Sequence, residues 1–329
     1  MTVEQKILDF FNEINELTVK ELVEKTGASK QMVHLVLNRL LQADIVQKMG
    51  RTPKTIYRIK TGKTSNVSET ESLYLSDPEN EFLEKNFVLV TDTGDLLKGS
   101  VAFEHWCTQR KLPVQKTVHE FVSTKKKYSG YYDKHGVVNG TDKLKSTKGY
   151  DQIHLDELFY LDFYAIERFG KTPLGTLLHY AKQGQNKFLM RIMMDEIKNR
   201  IHDFIKTHKA DAIGFVPPTI KREVQIMKFI QNSLQVGLPV VDIKKISGLI
   251  PVPQKSLSKL EERINNAENT FAVSGNHQYK HVVLIDDAVG SGSTLNQIAG
   301  KMKSKKLAKK ITGLAIVGSF KGFDVITDV

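Results

Sequence analysis

The chain has 329 residues, with 48 Lys and Arg against 37 Asp and Glu, and a formal net charge of +11. That length allows two or three domains, and 40% hydrophobic with 26% charged residues is the composition of a globular chain with a real core. Its one cysteine, Cys107, excludes an internal disulfide framework and a multi-cysteine zinc site, and no apolar run reaches the length of a membrane span.

Acids near the start argue against a secretory signal, so the expected location is cytoplasmic, with no membrane partner. Residues 3–13 read as an amphipathic helix with Ile7, Leu8, Phe10 and Phe11 inward. Thr18 precedes a second helix and Glu21 follows at the capping-box spacing; that helix stops near Gly27. Ser29 caps a third helix whose apolar set is Val33, Val36, Leu37, Leu40 and Leu41. Two short strands, Ile45-Val46-Gln47 and Thr55 to Ile59, flank a turn at Gly50 to Pro53 and predict a hairpin. Ser, Thr and acids with Pro78 then predict a linker over 61–85. Phe87 to Val90 fits a strand and 113–127 a helix, whereas 128–152, rich in Gly, Tyr, Lys and Asp, reads as an exposed loop. Residues 86–157 form an insert with no recognisable pattern.

From Leu158 onward, buried apolar strands alternate with helices, the pattern of an α/β parallel sheet. The strands are Ala212 to Val216, Pro239 to Ile243, His281 to Ile285 and Ile311 to Val317, with a helix over 221–235.

The charge is concentrated. From Ile45 to Lys63 there are six bases and no acid, and from Lys301 to Lys310 six lysines and no acid. A solvated helix face is the ordinary reading of the second run, and a further polyanion contact is the sharper one. Lys125-Lys126-Lys127-Tyr128 with Tyr131 and Tyr132 interleaves charge and aromatics as single-strand binders do, but a solvated loop is the ordinary reading. The ten histidines show no zinc-ligand spacing, so no protein-held metal is expected.

Three short helices followed by a basic hairpin resemble the winged helix-turn-helix family over Thr18 to Arg58. The resemblance implies that the third helix enters the major groove of DNA. Ser29, Lys30, Gln31, His34 and Asn38 are then the candidate base and phosphate contacts, and Gln31 and Asn38 carry amides able to pair with adenine. Arg51 and Lys54 at the hairpin tip suit phosphate or the minor groove. A winged helix used for protein docking is the alternative. Members commonly pair, so a homodimer is compatible with the resemblance.

The most informative stretch is His281 to Leu295. An apolar strand delivers Asp286 and Asp287, then come Val289, Gly290, Ser291, Gly292, Ser293 and Thr294, then a helix. Loop amides and a helix N-terminus can cradle a phosphate, and two adjacent acids beside that nest suit the vicinal hydroxyls of a ribose. The stretch resembles the phosphoribosyl pyrophosphate (PRPP) signature of type I phosphoribosyltransferases. The resemblance implies that Asp286 and Asp287 hold the ribose hydroxyls, that Val289 to Thr294 bind the 5′-phosphate, and that Mg2+ enters with the diphosphate. In hypoxanthine-type members the third position after the second acid is an aspartate; here it is Gly290, which argues against that mechanism.

A narrower resemblance, to the ComF-type family, covers residues 158–329. It rests on Leu177 to Gly184, on Pro217-Pro218-Thr219-Ile220-Lys221-Arg222, and on Gln254-Lys255-Ser256-Leu257 with Arg263, Asn266 and Phe271. It implies that Lys221 and Arg222 face a leaving diphosphate. The four-cysteine zinc module usual in that family is replaced here by 86–157, and the Arg-Gly-Phe-Asn that usually follows the pyrophosphate loop is lacking. The expected organisation is a winged helix over 1–60, a linker over 61–85, the insert over 86–157 and a type I phosphoribosyltransferase fold over 158–329. The expected activities are DNA binding joined either to phosphoribosyl transfer or to sensing of PRPP or a nucleotide.

Overall fold

The computed structural model describes residues 2–14, 16–42, 45–51, 54–59, 75–147, 150–218, 220, 222–246 and 270–319. The chain divides into two compact units, Met1–Ser72 and Leu73–Val329.

The first unit opens with α1 (Val3–Glu13), whose first turn is capped by Thr2: its hydroxyl accepts the Gln5 N–H at 3.2 Å. β1 (Leu17–Thr18) leads into α2 (Val19–Thr26) through the expected capping box. Thr18 accepts the Glu21 N–H at 3.3 Å while the Glu21 carboxylate accepts the Thr18 N–H at 2.7 Å. This satisfies two helix-end groups at once and holds the Glu21 carboxyl below its usual range, chiefly through the Thr18 backbone. Gly27 ends the helix at φ +67°, a conformation open to glycine. α3 (Lys30–Gln42) turns Val33, Val36, Leu37 and Leu40 inward. β2 (Val46–Arg51) and β3 (Lys54–Ile59) form the antiparallel hairpin, and β1 adds to β3 through Leu17 opposite Tyr57. These helices and strands close over one core that includes Ile7, Phe11, Leu22, Leu37 and Tyr57.

The second unit is built on a seven-stranded sheet: β6 (Val138–Asn139), β7 (Glu157–Phe163), β8 (Ala212–Phe215), β9 (Val240–Lys245), β10 (Phe271–Ser274), β11 (Tyr279–Val289) and β12 (Ala308–Gly318). The spatial order is β10-β9-β8-β11-β12-β7-β6. The inner five strands are parallel, and β10 and β6 add antiparallel at the two edges, so the sheet is mostly rather than wholly parallel. One face is covered by α8 (Pro173–Gln183), α9 (Lys187–Thr207) and α10 (Ile226–Leu234). The other is covered by α11 (Ser293–Ser304) and by an aromatic core from residues 75–144. Burial on both faces explains why β8 and β11 read as unbroken apolar runs.

Several expectations are corrected. Residues 77–85, expected as linker, lie in helix α4 (Asp77–Asn86), with Leu83 buried; 60–74 lie outside the described residues. The segment expected as an insert supplies β4 (Val88–Val90), β5 (Leu96–Lys98), α5 (Gly99–Gln109) and α6 (Val114–Ser129). Phe87, Phe103, Trp106 and Phe121 meet there edge-to-face or stacked and join the core of the large sheet. The expected loop over 128–152 contains β6 and α7 (Thr141–Ser146), because Val137, Val138 and Leu144 bury against the sheet. Tyr128 and Tyr131 pack edge-on against Phe163. The helix expected over 221–235 begins only at Ile226.

Candidate functional site

Ligand sites in open α/β sheets lie at the carboxyl ends of the strands. At that end of β11 the parallel ladder to β12 persists as far as Val289 opposite Gly318. Asp286, Asp287 and Val289 therefore sit within the strand, whereas the sequence places them after it. Only Gly290, Ser291 and Gly292 form the loop, and Ser293 and Thr294 already belong to the first turn of α11. Gly292 has φ +83°, and a Cβ there would lie 2.9 Å from Leu144 Cδ1, so both conformation and space call for glycine. The first N–H groups of α11 have no carbonyl one turn earlier in the helix, and the helix dipole adds partial positive charge at that end.

The loop is held on several sides. The Ser293 N–H donates to Ser291 Oγ at 3.3 Å, and the two serine hydroxyls lie 3.0 Å apart. The Tyr150 hydroxyl donates to the Ser291 carbonyl at 2.9 Å, and burial pushes the Tyr150 phenol up to about 12. Asn296 accepts the N–H groups of His154 and Leu155 at 2.7 and 3.1 Å and donates to the Gln152 carbonyl at 3.0 Å, stapling 152–155 to α11. The Ser319 N–H donates to the Val289 carbonyl at 3.2 Å, and Lys143 Nζ donates to the Ser319 carbonyl. Burial draws the Lys143 ammonium down to about 8.

The acids have a specific environment. The Asp287 carboxylate is bonded by the Lys182 ammonium from the last turn of α8. Asp286 Oδ1 accepts the Asp287 N–H at 2.8 Å. Burial first, and then the Asp287 carboxylate, push the Asp286 carboxyl up to about 7, against the opposing pull of Lys182. Lys182 thus bonds one acid and acts on the other through its charge alone, and Asp286 is poised to hold a proton near neutrality. Among the described residues no group of three or more His, Cys, Asp or Glu side chains could hold a metal ion.

Of the diphosphate-facing pair expected from sequence, Lys221 lies outside the described residues. Arg222 is engaged with the protein itself: it donates to the Lys182 carbonyl and, at 2.9 Å, to Gln183 Oε1. The Val224 N–H is bonded to Gln185 Oε1 at 2.8 Å, so residues 222–224 are tied to the end of α8 and thereby to the lysine that holds Asp287. Residues 254–266 of the ComF-type resemblance also lie outside the described residues. Burial raises the Cys107 thiol to about 11, which makes it inert rather than nucleophilic.

The lysine run at 301–310 has internal partners. Lys301 and Lys305 donate to the Phe271 and Val273 carbonyls of edge strand β10 at 2.6 and 2.7 Å. Lys303 pairs with Asp156 at 2.7 Å and Lys310 with Glu157 at 2.8 Å. Four of the six lysines therefore fasten α11 and β12 to their neighbours, while Lys305, Lys306 and Lys309 are exposed.

In the first unit Ser29 accepts the Met32 N–H at 3.2 Å, as a cap does. Ser29, Lys30, Gln31, His34 and Asn38 are all exposed. Arg51 and Lys54 are opposite one another at the hairpin end; of these two residues only the backbone is described.

No family model matches the chain, and a search of the curated proteins finds no match. Solved structures do align with it. A hypoxanthine phosphoribosyltransferase from Staphylococcus aureus aligns over 36% of this chain at 14% identity and a TM-score of 0.21, and the chain spans 56% of that protein's length. A purine phosphoribosyltransferase from Pyrococcus horikoshii aligns over 41% of this chain and 93% of its own, at 17% identity and a TM-score of 0.22. The fold and site together define a mixed α/β unit with a mostly parallel seven-stranded sheet and a glycine loop at the end of a central strand.

Proposed function

We propose that the chain binds DNA through its first unit and PRPP through its second, and transfers the phosphoribosyl group to an acceptor. The observation that carries the reading is the sequence of features at the end of β11: two carboxylates, a three-residue loop with glycine at positive φ, and a helix N-terminus. In this reading the loop amides and the serine hydroxyls take the 5′-phosphate, and Asp286 and Asp287 accept hydrogen bonds from the ribose hydroxyls. Magnesium, held by the ligand's own diphosphate, would neutralise charge on the leaving group. The bond from the ribose C1 to the diphosphate oxygen breaks and a bond from the acceptor forms. Orienting the ribose and stabilising charge supply the rate. No membrane-crossing role is part of the reading, and among the described residues no helix is long and apolar enough to cross a membrane.

For the first unit, the order α1-β1-α2-α3 followed by a hairpin supports the winged helix reading, with α3 as the groove-facing helix. Replacing Arg51 and Lys54 together by alanine should flatten the salt dependence of duplex binding by about 2 in slope if both touch phosphate. An unchanged slope would remove the hairpin from the interface.

A second reading, a regulator that senses PRPP or a nucleotide without turnover, is favoured by Arg222. Its guanidinium is committed to the end of α8 and not presented to a leaving group. Diphosphate release from magnesium PRPP across a panel of nucleobases separates the two. Release abolished by Asp287→Asn supports transfer. Ligand-dependent DNA affinity without release supports the sensor, and coupling of that kind must be reciprocal.

A further inference from the structure

The outward face of α3 carries more than polar groups. Taking about 100° per residue, Gln31, Leu35 and Asn38 fall within roughly 60° of arc on the side opposite buried Val33 and Leu40. Leu35 is 48% exposed and Met32, beside it, 46%. A single exposed leucine is ordinary; two large apolar side chains beside two primary amides, on a helix that carries no acid, form a pattern. Residues 29–63 hold eight bases and one acid, a net of +7, whereas residues 1–28 hold three bases and six acids, a net of −3. α3 itself carries Lys30 and Arg39 and no acid, whereas α1 and α2 together carry three bases and five acids, so the helix that bears this face is the positive one, which selects a polyanion over a protein partner as its occupant.

We infer that α3 reads A·T base pairs, with Gln31 and Asn38 bonding adenine and Leu35 packing on the thymine methyl. The inference rests on the DNA reading of the first unit and deepens it. The chemistry is specific to the major groove. Adenine offers an acceptor and a donor side by side, which a primary amide matches in a pair of bonds, and thymine alone carries a methyl group there. An exposed apolar side chain between two amides meets that combination; opposite G·C pairs it would meet no methyl group. Met32 adds apolar surface at the rim of the same stripe.

The test uses the full chain and three labelled duplexes. The first has only A·T pairs at its centre, the second replaces every thymine by deoxyuridine, and the third has only G·C pairs. Loss of one contacted methyl should weaken wild-type binding about fourfold, and the G·C duplex should bind about tenfold or more weakly. Leu35→Ala, an exposed position whose change leaves the core intact, should bind the thymine and uracil duplexes equally. Asn38→Ala should narrow the preference for A·T over G·C while keeping the methyl effect. Equal wild-type affinity for thymine and uracil duplexes, or discrimination surviving in Leu35→Ala, overturns the inference while leaving DNA binding standing. No binding to any duplex overturns the DNA reading and this inference with it. If Leu35→Ala instead changes the mass of the DNA-free chain in solution, the face is a protein interface and the inference fails.

Discussion

Replacing Lys182 by methionine keeps the apolar stem and removes only the ammonium. That ammonium is bonded to Asp287, and the two side chains are 22% and 11% exposed. Without it, the Asp287 carboxylate is left uncompensated next to Asp286 in a site that water reaches poorly. Deleting one partner of a buried pair costs about 3–5 kcal/mol, because the other charge is left uncompensated. The full loss is expected above the Asp286 titration, about pH 7. It should shrink toward acid pH, where Asp286 takes up its proton. Urea unfolding followed by fluorescence reads this directly, since the single tryptophan, Trp106, is 4% exposed in the aromatic core of the same unit. The midpoint should fall with little change in slope. Adding Asp287→Asn to Lys182→Met should recover much of the loss, since the orphaned charge is then gone. A Lys182→Met variant within about 1 kcal/mol of wild type above pH 7, the range expected for an exposed pair, would refute the buried-pair reasoning.

Three further outcomes follow from the same geometry. The raised carboxyl of Asp286 means that between about pH 4 and 7 the folded chain keeps a proton that the unfolded chain has lost. Stability should therefore fall as pH rises through that window, and Asp286→Asn should flatten the fall; parallel melting profiles for the two proteins would contradict it. Thr18→Ala removes the reciprocal cap of α2 and should cost about 1 kcal/mol, seen as roughly fivefold faster amide exchange over residues 19–26; unchanged exchange there would contradict the cap's role. Gly292→Ala forces a side chain into positive φ against Leu144 and should cost about 1–3 kcal/mol in the same urea assay. An unchanged midpoint would show that the loop tolerates the strain.

What the sequence made legible is local. The capping box at Thr18 and Glu21, the stop at Gly27 and the hairpin each depend on residues a few positions apart, and each is found as expected. The site divides along the same line. Asp286, Asp287 and the glycine loop are adjacent in the chain and were visible as a pattern. Lys182 reaches Asp287 across 105 residues, and Tyr150 reaches Ser291 across 141, so no spacing could announce either contact. Lys143 and Tyr150 sit in a stretch whose hydrophilic composition hid the three apolar anchors Val137, Val138 and Leu144. The partners of Lys301, Lys303, Lys305 and Lys310 are carbonyls of β10 and carboxylates at or beside the start of β7, which composition cannot place next to the run. β11 outran its apolar stretch because ladder pairing with β12 extends the strand through the two acids.

The most direct measurement titrates magnesium PRPP into the full chain in a calorimeter, with Asp287→Asn as the paired variant. Saturable binding to the wild type, lost in Asp287→Asn while the variant keeps its circular dichroism spectrum, is the expected result. No binding by the wild type, or undiminished binding by folded Asp287→Asn, would contradict a ribose-phosphate site at the end of β11.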